Sequence, residues 1–342
     1  MPDIGSFVAS TIKEQVVPKI ADNVILANKL LNQLNQKGRF SYGKGGNGFQ
    51  IRVRYAESTI GGSTTDWAVQ ELQTTQPFTT AEDTYRQYAW KLIVSTFQMQ
   101  RNENAGNTAW MFDMVKQQVN EVKQAATTRI GRHSYTGTGT LYTGDVGTPM
   151  NGLADCIGST TNTFMGINRT TSSNAYWRPQ ALTVANFTAD STSIGVTDGL
   201  QAMQTLWLSC SLGTQKGDDI PDTVAVDMAS PDFIITSSTG WNGYFRSLQP
   251  QQRYVDAAKA NPLETLQFNG VPVIWDNFCP STAMYFIYAP SFYVWVSPDK
   301  LLDTLQEGDA PNPIGKYFIF GTQLQMFCDK PRNNGLLTIT AL

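Results

Sequence analysis

Met111, Val115, Val119, Val122, Ala126 and Ile130 recur at three- and four-residue steps, with Trp110, Phe112, Met114 and Ala125 widening the stripe. Asp113, Lys116, Gln117, Asn120, Glu121, Lys123 and Gln124 occupy the opposite face. This pattern predicts an amphipathic helix over residues 107–130, roughly 24 residues or about 36 Å at 1.5 Å per residue. Asn107 or Thr108 suits its N-terminal cap, and Gly131 stands where a left-handed C-terminal cap is expected. The rest of the chain is arranged around this helix.

Before it, a different period appears. Phe49, Ile51, Val53 and Tyr55 alternate with Gln50, Arg52 and Arg54, and Tyr88, Trp90, Leu92 and Val94 alternate again within residues 85–99. Alternation of this kind predicts two strands. The connection between them, residues 57–83, carries Glu57, Asp66, Glu71, Glu82 and Asp83 and no Lys or Arg. It is far longer than a hairpin turn, which points to a functional loop or a disordered one. Upstream, Ile20, Val24, Ala27, Leu31 and Leu34 mark a helix ending before Gly38, within an N-terminal arm of residues 1–46.

After the long helix, residues 131–192 are rich in Gly, Thr, Ser and Asn and read as short strands and loops. Periodicity returns with a helix carrying Leu200, Met203, Leu206, Trp207 and Cys210, with Asp198 as its cap. A strand at 223–226, a helix around 241–254 and a strand at 271–275 follow. Alternating helices and strands imply an α/β unit. Tyr317–Asp329 and Leu336–Thr340 read as strands, and Asn333-Asn334-Gly335 supplies turn residues for a terminal hairpin.

Composition narrows the function. Charged residues make up 15% of the 342 and the net charge is −3, so nothing in the sequence suggests a surface built to coat nucleic acid. The most apolar stretch, 283–296, is broken by Pro290 and Ser291 and reads as two strands rather than a membrane span. The N-terminus lacks a basic region followed by an apolar segment, so no secretory signal is expected. Cys156, Cys210, Cys279 and Cys328 are widely spaced, which favours free thiols.

Candidate chemistry is sparse. His133 is the only histidine, which rules out His-rich metal sites and paired-histidine mechanisms. Gly43 to Gly48 formally matches G-x-G-x-x-G, but it follows a helix and opens a strand, the reverse of a dinucleotide site. Asp227 and Asp276 fall at strand ends, where a carboxylate pair for acid–base work competes with the commoner role of turn former. No enzyme, metal or cofactor is expected.

The order of these elements resembles the major capsid protein of tailed bacteriophages, the Hong Kong 97-type fold. Particular segments carry the likeness. Gly45-Gly46 leading into Phe49-Gln50-Ile51-Arg52-Val53-Arg54-Tyr55 resembles the start of the family's extended loop, and Asn102-Glu103-Asn104-Ala105-Gly106 resembles the lead into its spine helix. Gly166-Ile167-Asn168-Arg169, with Trp177-Arg178 downstream, is similar to a glycine–isoleucine–acid–arginine segment, Asn168 replacing the acid. Pro221-Asp222-Thr223-Val224 and Phe268-Asn269-Gly270-Val271-Pro272-Val273, with Asp276, resemble strands of the axial lobe.

The resemblance implies an α+β capsid fold. Residues 1–46 form the arm, 47–100 the extended two-stranded loop, 101–189 the spine helix and peripheral lobe, 190–300 the α/β axial lobe, and 301–342 the return with its terminal hairpin. The implied function is an icosahedral shell of hexamers and pentamers assembled in the host cytoplasm. That shell encloses double-stranded DNA without reading its sequence, in company with portal, scaffold or decoration proteins. The arm leaves no room for a built-in scaffold before it, and Lys91 has no recognisable cross-linking partner. An encapsulin-like nanocompartment shell and a tail or receptor-binding component are the alternatives. The expected subunit interface comprises Arg52, Arg54, Asp66, Trp67, Glu71, Phe78 and Arg86, with acidic loop residues facing basic strand residues of a neighbour.

Overall fold

The structure is a computed structural model, and it describes residues 25–43, 48–55, 78–95, 108–184, 199–212, 229–252, 266–297, 303–309 and 315–340. The chain divides into two compact units.

The first unit comprises residues 1–47, 85–152 and 293–326. Helix α1 (Lys29–Gln36) buries Leu30, Leu31 and Leu34, the apolar side of its periodic pattern. Strand β1 (Phe40–Tyr42) follows. In the second unit lie β2 (Gly48–Arg54) and β3 (Phe78–Thr84). The chain re-enters the first unit with β4 (Arg86–Ser95) and the spine helix α2 (Thr108–Thr136). Val122, Ala126 and Ile130 are buried, as the stripe predicts. The helix runs through Gly131 and stops only at Thr136. The left-handed glycine is Gly137, at φ +65°, which opens a 3-10 turn. Gly131 is itself buried, and its carbonyl accepts a bond from the Ser134 hydroxyl.

In the second unit, helix α3 (Leu153–Cys156) precedes β5 (Thr163–Phe164) and β6 (Ile167–Asn168). Met165 and Gly166, both at positive φ, join these two strands by a two-residue turn. Strand β7 (Gln180–Val184), helix α4 (Gly199–Leu212), β8 (Phe233–Thr236), helix α5 (Ser238–Gln252), β9 (Gln267–Phe268), β10 (Val271–Trp275) and β11 (Ala283–Ile287) follow. Asn269 and Gly270, again at positive φ, turn β9 into β10. The chain ends through β12 (Phe292–Ser297), β13 (Asp303–Asp309), β14 (Gly315–Cys328) and β15 (Gly335–Ile339).

One sheet runs β1-β12-β14-β13, with β4 also pairing β14 antiparallel. The other runs β7-β15-β11-β8-β10-β9. β8 and β10 pair in parallel with α5 between them in sequence, which is the α/β unit the alternation predicts. β8 and β11 are buried at every position, consistent with their unbroken apolar sequences, FIIT and AMYFI. Met203, Leu206 and Cys210 of α4 join Ile234, Phe286, Leu337 and Ile339 in this unit's core.

Three expectations change. The partner of β2 is β3, not the strand at 85–99, which instead pairs with β14. Glu82 and Asp83 therefore lie in a strand rather than in the loop. The closing strands form no hairpin: β15 pairs with β11 and β7, and Asn333 closes a 3-10 turn. Asn334 is a buried connector rather than a turn residue. Its amide donates to Ser291 Oγ and Lys330 O, and its side-chain oxygen accepts from Tyr288 N. The strand expected at 223–226 and the cap Asp198 lie outside the described residues.

Candidate assembly surface

Antiparallel pairing of β2 with β3 sorts the ribbon into two faces. Phe49, Val53 and Ala81 are buried on one, where the Phe49 ring lies 4.9 Å from Phe327. Glu82 N–H donates to Met165 O, which ties the ribbon to the β5–β6 turn. The other face carries exposed Gln50, Arg52, Phe78, Thr80 and Glu82. Gln50 and Glu82 are direct cross-strand partners, joined by a 2.7 Å side-chain bond. Phe78 is 58% exposed, a large apolar surface on an otherwise polar face.

Of the residues expected at an interface, Arg52 and Phe78 share this outer face, and Arg54 stands opposite Phe78 in the register. Arg86 belongs to β4 in the first unit, half-buried opposite Leu324. Asp66, Trp67 and Glu71 lie outside the described residues. The segment Gly166-Ile167-Asn168-Arg169, singled out in the sequence only by resemblance, proves to be the centre of a hydrogen-bond network.

Arg169 is fully buried and, among the described residues, forms no ion pair. Its Nε donates to Trp177 O at 2.9 Å. Nη1 serves Asp155 O, Ser159 O and Asn162 Oδ1, each at 2.9 Å, and Nη2 serves Cys156 O at 2.7 Å. The Phe164 ring lies 4.7 Å from the guanidinium carbon. Burial lowers the Arg169 pKa to about 10. Arg178 Nε in turn donates to Arg169 O, and Trp177 Nε1 donates to Phe164 O. The network holds together loops that lack long apolar repeats, which is why periodicity gave no sign of it.

In the first unit, Asp145 gathers three donors: Arg129 Nη1 at 2.7 Å, Tyr142 N at 2.7 Å and His133 Nε2 at 3.2 Å. This clasp fastens residues 142–145 to the spine helix while leaving Leu141 and Val146 exposed. Burial, the dominant effect, lowers the His133 pKa, and Asp145 opposes it.

No family model and no curated protein matches the sequence. Solved structures do match. The capsid asymmetric unit of cyanophage A-1(L) is 17% identical, with a TM-score of 0.63 over 93% of this chain and 92% of that one. This is the Hong Kong 97-type capsid fold. The same fold relates the chain to the holo-SrpI encapsulin of Synechococcus elongatus PCC 7942, at 10% identity and TM-score 0.53 over 99% and 95% of the chains. It also relates it to the procapsid of satellite phage P4, at 10% and 0.53 over 98% and 95%.

Asp276 is buried at the end of β10, where its carboxylate accepts from Phe278 N and its N–H donates to Thr236 O. Asp227 lies outside the described residues. The four cysteines are free and buried. Among the described residues no cluster of His, Cys, Asp and Glu suits a metal, and no helix is long and apolar enough to cross a membrane.

Proposed function

We propose that this chain is a major capsid protein, the self-assembling subunit of an icosahedral phage shell that encloses double-stranded DNA. The observation that carries the reading is the near-complete mutual coverage, 93% and 92%, with the cyanophage capsid subunit. Hexamers and pentamers form the shell, and the protein resides in the virion after assembly in the host cytoplasm. Portal, scaffold or decoration proteins complete the particle, and the chain performs no catalysis. The unit holding the spine helix serves as the peripheral lobe, and the six-stranded α/β sheet serves as the axial lobe. Residues 47–100 span the extended loop, with β2 and β3 as its paired strands.

The outer face of the ribbon, with Arg52, Arg54 and Phe78, meets a neighbouring subunit, as do Asp66, Trp67 and Glu71 of the connecting segment and Arg86 of β4. Obligate contacts of this class bury on the order of 2,000 Å² or more. Electron microscopy of the purified protein tests the proposal. Closed icosahedral particles are expected. Particles that copurify with a single enzyme cargo establish a nanocompartment instead, and trimers or fibres establish a tail component.

A further inference from the structure

An arginine pair sits beside the buried Arg169. Arg178 N–H and Arg332 Nη1 both donate to the carbonyl of Ala175, at 3.2 and 2.9 Å. Arg178 is fixed further by Nε to Arg169 O at 2.6 Å and by Nη2 to Thr170 O and Thr171 O at 2.9 and 3.2 Å. Its Nη1 has no acceptor among the described residues. Among the described residues Arg332 donates through Nη1 alone, and its buried Nε–H finds no acceptor there. Both side chains are half-buried, and among the described residues neither forms a salt bridge. The rings of Tyr55 and Tyr176 pack nearby at 5.8 Å, with Tyr176 next in sequence to Ala175. Two guanidiniums are thus pre-oriented by backbone carbonyls, with N–H groups left over. We propose that Arg178 and Arg332 form an oxyanion site that takes a phosphodiester group of the enclosed nucleic acid.

The inference rests on the shell reading for its ligand. Paired forks of N–H donors match the oxygens of a phosphate, and fixing them beforehand lowers the ordering cost of binding. Arg178 and burial together lower the Arg332 pKa to about 10, burial being the larger cause, so a bound anion relieves a repulsion already present. Carboxylates of a second copy are the weaker candidate. Those of Glu82, Asp145, Asp232 and Asp276 already accept bonds within their own chain. One phosphate contact per subunit also suits a chain of net charge −3, which holds its contents by enclosure more than by tight binding.

Two measurements test the site. Unmodified protein should gain thermal stability in inorganic phosphate over chloride at equal ionic strength, and equal midpoints overturn the proposal. A short DNA duplex titrated at several salt concentrations should give a salt slope shallower than six phosphate contacts. In the doubly substituted Arg178→Gln, Arg332→Gln protein that slope should drop by about 0.9, the value for one phosphate. Circular dichroism establishes that the variant is folded. An unchanged slope in folded variant overturns the site, and if particles also fail to close, the pair is a contact between copies. Loss of the slope in a protein that never forms particles upholds the site and removes the shell reading.

Discussion

The hydroxyl of Tyr88 lies 3.0 Å from Nδ1 of His133, and the proton between them belongs to the tyrosine. Met150 N–H already donates to the same phenolic oxygen, so that oxygen is free to donate its own proton to the ring nitrogen. Nδ1 is then an acceptor, and Nε2 carries the hydrogen directed at Asp145 Oδ2. His133 is held as the neutral Nε2–H tautomer. Burial raises the Tyr88 pKa, which keeps the phenol a donor.

This arrangement predicts a loss of stability in acid. The folded-state pKa of His133 is depressed below its ordinary value of about 6.5. Its contribution is therefore present above that pH and declines as the pH falls below it, because the unfolded chain takes up the proton more readily. Arg129 and Asp145 face the ring and act in opposite directions, Arg129 lowering and Asp145 raising its pKa. Thermal midpoints measured from pH 7.5 to 5 should fall more steeply for the unmodified protein than for His133→Gln. Parallel curves would falsify the assignment.

Removing the guanidinium of Arg169 should be severe. Arg169→Met leaves the carbonyls of Trp177, Asp155, Ser159 and Cys156 without this donor in a buried site. The expected cost is about 3–5 kcal/mol. Denaturant unfolding of the soluble fraction measures it, and a loss under about 1 kcal/mol contradicts the central role given to this network.

Gly335 is fixed by close packing in the second unit. A Cβ there would meet Cys210 Sγ at 2.8 Å and Leu206 Cδ1 at 2.9 Å. Gly335→Ala should cost about 1–3 kcal/mol as overpacking. Adding Leu206→Val, which shortens the obstructing side chain, should recover part of that loss. Additive effects in a double-mutant cycle would show that the two positions do not compete for space.

The ribbon separates folding from assembly. Phe78→Ser alters an exposed side chain, so the melting midpoint of the subunit should move by no more than the equivalent of about 0.5 kcal/mol. Particles should nonetheless form in lower yield, or dissociate at lower denaturant. Replacing residues 60–76 with a short Gly-Ser turn spares β3 and should give folded subunits that stop at loose rings. Normal particles from both variants would remove the ribbon and its connecting segment from the interface.

Long-period patterns were the legible part of this molecule. Val122, Ala126 and Ile130 announced the spine helix, and Met203, Leu206 and Cys210 announced α4, because one apolar stripe per helix follows from burying one face. Pairing was harder to read. Alternation marks Phe49–Tyr55 as a strand but says nothing of its partner. The FTTAEDT of β3, with burial only at Ala81, is too weakly patterned to mark a strand. Gly131 and Gly137 are equally able to end a helix, and local sequence does not choose between them. Arg169 stands out in the sequence only as part of a resembling segment, since a network of backbone carbonyls leaves no residue pattern.

Strand β15 lies inside its sheet, between β7 and β11, although it follows the sheet's other five strands in the chain. Among the described residues β7 joins that sheet only through β15, and 150 residues separate the end of β7 from Gly335–Ile339. The sheet cannot close before those residues have been made. The late arrival of β15 therefore acts as a timer for closing this unit.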